Sequence, residues 1–111
     1  PLLPTPDFAP PSGFAMGANN GKVALTSSTT VLSGTCPVSS SVIDFLGYGT
    51  STTTMGGCFE GVAGTAQTAN TTSAQRNAAG CIDTNANNLD FTLAAPVPRN
   101  GAVAANICSC P

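Results

Sequence analysis

Apolar residues in this chain come in short runs broken by Gly, Pro, Asn, Ser and Thr, and none recurs at helical spacing for long. Residues 42–48 carry the strongest pattern. Val42, Asp44, Leu46 and Tyr48 alternate off one face, and Ile43 and Phe45 off the other. Both faces are partly apolar, which predicts a strand covered on both sides. Residues 22–26 alternate more weakly and predict a second strand, which Val31-Leu32 would extend after a turn at 27–30. Residues 90–93 predict a short strand that Pro96 and Pro98 end, and residues 103–108 a last one. Asn20-Gly21 reads as a turn. Residues 61–79 have no period, and Thr72 would cap a helical turn over 72–77. Short strands joined by Gly/Pro/Asn turns make the class all-β.

The first 21 residues differ from the rest. Prolines at 1, 4, 6, 10 and 11 fix φ and donate no ladder hydrogen bond, which predicts an extended arm over 1–21 ahead of a domain over 22–111. Phe8, Phe14 and Met16 are its large anchors after Leu2 and Leu3. Pro1-Leu2-Leu3-Pro4 lacks the basic start and apolar core of a secretion leader, so a processed form is expected. No apolar run is long enough to span a membrane.

Length and charge narrow the picture further. The 111 residues suit one domain, charged residues make up 7%, and the formal net charge is -2. Lys22, Arg76 and Arg99 are too few and too scattered to hold nucleic acid by its phosphates. A polar but nearly uncharged surface suits a packed lattice or fibre, because neighbours shed few ionic hydration shells on contact. It suits an ordinary secreted domain as well. The chain has no histidine, which removes Ser-His-Asp and Cys-His catalysis and the covalent haem motif. No carboxylate pair has an acid/base arrangement, so no enzyme activity and no cofactor are expected.

Five cysteines without a Cys-x-x-Cys pair favour disulfides, hence an oxidising compartment, over metal binding. Two bridges among five cysteines admit 15 pairings by simple counting. Proximity along the chain favours Cys36 with Cys58 and Cys81 with Cys108, leaving Cys110 odd. An odd thiol on a secreted protein pairs between molecules or with a partner elsewhere in its precursor.

The blocks Val42-Ile43-Asp44-Phe45-Leu46-Gly47-Tyr48-Gly49, Cys58-Phe59-Glu60-Gly61, Gly80-Cys81-Ile82-Asp83-Thr84, Asn87-Asn88-Leu89-Asp90-Phe91 and Pro98-Arg99-Asn100 follow one another in a characteristic order. That order resembles the secreted bacterial form of the lamin-tail domain, an immunoglobulin-like β-sandwich. Pro4-Thr5-Pro6-Asp7, Gly21-Lys22-Val23-Ala24-Leu25 and Asn70-Thr71-Thr72 look similar too. The resemblance covers residues 1–108, most strongly 42–100. It implies a non-catalytic module, since such domains end secreted nucleases and phosphoesterases or decorate filaments. The family opens with Asn/Glu-rich strands that have no counterpart here, which implies a sandwich lacking its first strands and exposing edges. The family's acidic pattern becomes Asp83-Thr84-Asn85-Ala86-Asn87, one carboxylate short.

Asp83, Asn85, Asn87 and Asp90 are spaced like oxygen ligands of a calcium loop, but lack the glycine at the sixth position and the bidentate Glu at the twelfth. The competing reading is an Asx-rich turn whose side chains cap backbone groups. Arg76 and Arg99 are expected to pair with Asp44, Asp83 or Asp90, and Glu60 to accept backbone N–H bonds. Asn70-Thr71-Thr72 is a glycosylation sequon in form, against a plain capped turn. The chain therefore predicts a secreted or cell-surface structural module that assembles with copies of itself or with another surface protein. The alternative is an accessory binding module of a secreted hydrolase.

Overall fold

The computed structural model describes residues 3–49 and 58–109. Its regular elements are strands with two single-turn helices, arranged as two small antiparallel sheets. β1 (Asn20–Thr26) pairs with β2 (Val42–Gly49) in the register Val23 opposite Leu46 and Leu25 opposite Asp44, with an irregularity between Leu25 and Thr26. Directly opposed residues share a face, so Val23, Leu25, Leu46 and Tyr48 lie on one side and Ala24 and Phe45 on the other. Gly21 opposes Tyr48, and any Cβ there would strike the phenol ring. The bare glycine lets the ring lie across β1, where its hydroxyl donates to the Gly17 carbonyl at 2.6 Å.

Asn20-Gly21 opens β1 rather than forming a turn, because Asn20 already pairs with Gly49. Val31-Leu32 does not extend β1. Residues 27–41 leave the ladder, with Ser28, Ser39 and Ser41 hydroxyls bonding locally to nearby polar groups. The second edge of β2 is partnered toward its end, where Gly49 N–H donates to Thr65 O and Thr65 N–H to Gly47 O, both at 2.9 Å, and where the Asn87 side chain bonds Gly47 N–H and Phe45 O.

β3 (Ser73–Arg76) pairs with β4 (Phe91–Ala94), joined through α1 (Asn77–Gly80) and α2 (Asn87–Asp90). β3 occupies the segment where a helical turn was expected. Thr72 Oγ1 accepts the Ala69 N–H at 2.9 Å, closing a turn behind it instead of capping a helix ahead of it. α1 is a tight turn with Ala78 and Ala79 in the left-handed region. Residues 103–108 form no strand. They are tied to α1 by the Cys81–Cys108 disulfide and by the Asn106 side chain.

Buried apolar residues among those described are Tyr48 and Cys58, and the fully buried side chains are Asn87, Asp90 and Cys58. The centre of the molecule is therefore polar. Phe8, Phe14, Leu25, Ile43, Val97 and Ile107 are exposed. The accessible surface is 7822 Å², whereas a compact chain of this mass exposes about 5,600 Å² and its unfolded form about 15,800 Å². Folding alone thus hides about half of the chain's surface, where a domain of this size ordinarily hides about two thirds. The radius of gyration, 14.6 Å, likewise exceeds the roughly 13 Å of a close-packed domain.

Candidate functional site

Asn87 joins three segments. α2 starts there, packed against β2, and a side-chain amide offers two N–H donors and a separate carbonyl acceptor. Its Oδ1 accepts from Gly47 N–H at 2.8 Å and Glu60 N–H at 3.1 Å. Its Nδ2 donates to Phe45 O at 2.8 Å and to Glu60 Oε2 at 3.1 Å. Close approach is possible because Gly47 has no side chain, and a Cβ there would meet the Cys58 carbonyl. The Cys36–Cys58 disulfide holds the 58–60 segment against β2 and anchors the exposed loop around Cys36. Cys81 and Cys108 form the second bridge, and Cys110 lies outside the described residues.

Asp90, at the end of α2, has no accessible surface, yet it is covered by its own loop rather than sunk in a core. Burial alone pushes its carboxyl up. The Thr84 hydroxyl at 2.7 Å, Ala86 N–H at 3.1 Å and Thr84 N–H at 2.9 Å outweigh that and hold it below the usual carboxylate range. Asp83 is exposed and caps Asn85 N–H at 3.3 Å, with Asn85 in the left-handed region. Asp83, Asn87 and Asp90 thus turn to different protein partners. Asn87 and Asp90 spend their oxygens on backbone and hydroxyl donors, as in the Asx-turn alternative.

Carboxylate oxygens do converge elsewhere. One oxygen each of Asp44, Glu60 and Asp83 lie within 4.8 Å of one another. The chain supplies its own cation there. Arg76, from β3, pairs with Asp44 and, through Nη1, with Asp83 at 3.3 Å, and its guanidinium lies 4.5 Å over the Phe91 ring. Burial works against its charge, but Asp44 and then Asp83 raise its pKa. Asp44 Oδ1 is buried without a hydrogen-bond partner in the structure. Three carboxylates face one guanidinium. Glu60, desolvated by burial and repelled by Asp44 and Asp83, is pushed above its ordinary value. It accepts the Asn87 amide, and among the described residues no backbone N–H donates to it. The cluster locks β2 to β3 and the Asp83 loop, since its charged groups already face one another.

Two apolar depressions flank this centre. One, of about 360 Å³, lies between the sheets, lined by Met16, Val23, Leu46, Tyr48 and Ala74 among others. The other, of about 580 Å³, runs along β3 and is walled by Ala74, Val97 and Pro98, with Arg99 in its lining. Half the backbone groups of a two-stranded ribbon point away from its partner. Among the described residues, those of β3 have no other hydrogen-bond partner. Asn70 sits exposed beside the Ala69–Thr72 turn. No family model, curated protein or solved structure matches this chain. No helix among the described residues is long and apolar enough to cross a membrane.

Proposed function

We propose that this chain is a secreted, non-catalytic structural module of lamin-tail type that associates with copies of itself by strand addition. The observation that carries this reading is the surface left uncovered. The chain exposes about 2,200 Å² more than a close-packed domain of its mass, and Phe8, Phe14, Leu25, Ile43, Val97 and Ile107 are among the exposed side chains. Two-stranded ribbons are marginal in water on their own, and an added strand supplies backbone hydrogen bonds and a second apolar layer together. A sandwich completed by a neighbouring copy would give the buried sheet faces that the pattern of residues 42–48 calls for. Low charge favours such contact, because few ions are desolvated. The two disulfides suit an oxidising environment.

Amide hydrogen exchange tests the mechanism. Outward N–H groups of β1 and β3 are expected to exchange fast in dilute solution and to become protected as concentration rises. Identical exchange at all concentrations rules out strand addition.

A further inference from the structure

The charged groups are few enough to follow one by one. Arg76 holds Asp44 and Asp83, Glu60 takes the Asn87 amide, Asp90 is enclosed by Thr84 and Ala86, and Lys22 donates to the Thr35 carbonyl. Arg99 and Asp7 remain. Arg99 is exposed and makes no ion pair or hydrogen bond among the described residues. Asp7 is exposed and, among the described residues, accepts only the Gly101 N–H, at 2.7 Å. Arg99 lines the trough along β3, whose outer edge is unpaired.

The arm that carries Asp7 has a pattern suited to such an edge. Pro4 and Pro6 alternate with Thr5 and Asp7. Successive residues of an extended chain present their backbone groups to opposite sides. The prolines therefore fall on one side, and Thr5 and Asp7 keep their N–H and C=O groups on the other. Such a segment pairs along one edge and ends the sheet on its far side. The chain's own arm is held outside the trough, by Asn100 Nδ2 on Thr5 O at 2.9 Å and by Gly101 on Asp7. Both are exposed bonds, lightly held.

We propose that residues 4–8 of a second copy lie in the trough along β3 and set Asp7 on Arg99. This rests on the self-association reading and names its contact. The complementary charges select the occupant. Arm and trough are different surfaces of one chain, so the contact runs head to tail and propagates unless a ring closes.

Charge reversal tests it. Sedimentation velocity compares wild type, Asp7→Arg, Arg99→Asp, their equimolar mixture and the double variant, with circular dichroism confirming that all fold alike. Each single variant alone is expected to associate about tenfold more weakly, because attraction becomes repulsion at an exposed pair. The mixture and the double variant regain assembly, since each places one Arg against one Asp between copies. A double variant that recovers while the mixture does not shows a contact within one chain and overturns the proposal. Single variants that assemble like wild type also overturn it, leaving self-association intact. A monomeric wild type overturns both.

Discussion

The centre and the two ends of this molecule are built on opposite plans. Around Asn87, segments from β2, residues 58–60 and α2 are held by a buried amide with four hydrogen bonds, a disulfide and the Arg76 cluster. The arm and residues 95–109 are held by exposed bonds at Thr5, Asp7 and Asn106 and by the Cys81–Cys108 bridge, with Phe8, Phe14, Val97 and Ile107 facing outward. An ordinary domain puts its apolar side chains in the middle and its polar ones outside. Here internal cohesion is polar, and the apolar side chains are offered to whatever lies beyond. A buried polar group left unpaired is costly, so the centre specifies one arrangement of its segments. Exposed apolar side chains have no such exclusivity and become useful on contact.

The sharpest way to break that contrast is Asn87→Ala. It leaves Gly47 N–H, Glu60 N–H and Phe45 O without partners. Urea denaturation is expected to show a loss of about 3–4 kcal/mol. Next come the disulfides. Loops of 22 and 27 residues have nearly equal entropic worth, about 3 kcal/mol each in the chain-entropy model. Their reach differs. Serine at both Cys36 and Cys58 should speed amide exchange through β1 and β2, whereas serine at Cys81 and Cys108 should free mainly residues 95–109. Equal spread of exchange in both variants would erase the distinction between centre and ends.

Arg76→Met keeps the apolar stem over Phe91 but leaves Asp44, Glu60 and Asp83 facing one another, for an expected loss of about 1–2 kcal/mol in thermal unfolding. Glu60→Gln works the other way. The amide oxygen can still accept from Asn87 while one repelling charge goes, for a gain of about 0.5 kcal/mol at pH 7. The sign follows from linkage. Because the folded pKa of Glu60 is raised, its favourable contribution is present below its unfolded value, about 4.3, and is lost as pH rises through the folded pKa. The advantage of the Gln variant should therefore vanish near pH 4. Asp90 has the opposite sign. Its folded pKa is lowered, so its contribution is present above about 3.9 and falls away as pH drops through the folded value, giving wild type and variant the same acid limb. Smallest of all, Phe14→Ser should change monomer stability by under about 0.5 kcal/mol while weakening association.

β1, β2 and β4 were legible because their apolar residues alternate, and a half-covered strand needs that alternation whatever surrounds it. β3 was hidden because Ser73-Ala74-Gln75-Arg76 has no apolar alternation. It is a strand because it pairs with β4 and because Arg76 reaches across to Asp44. Residues 103–108 had the opposite fault, since apolar character suggested a strand but the segment forms none and is tied to α1 by a disulfide. Asn87 and Asp90 stood out by spacing, yet spacing could not separate calcium ligands from caps. For Asn87 the partners are Gly47, Phe45 and Glu60, about 27 to 42 residues away in sequence, whereas Asp90 bonds within its own loop to Thr84 and Ala86. The Arg76 pairing was foreseeable from charge scarcity alone. The same scarcity did not reveal that Arg99 is left over, because that depends on where the chain turns after Pro98.

Sedimentation velocity on the disulfide-intact chain, from low micromolar to near millimolar concentration, tests most directly whether this chain is completed by its own copies. The account predicts a sedimentation coefficient that climbs with concentration as oligomers form. A single 10.9 kDa species across the whole range would contradict it.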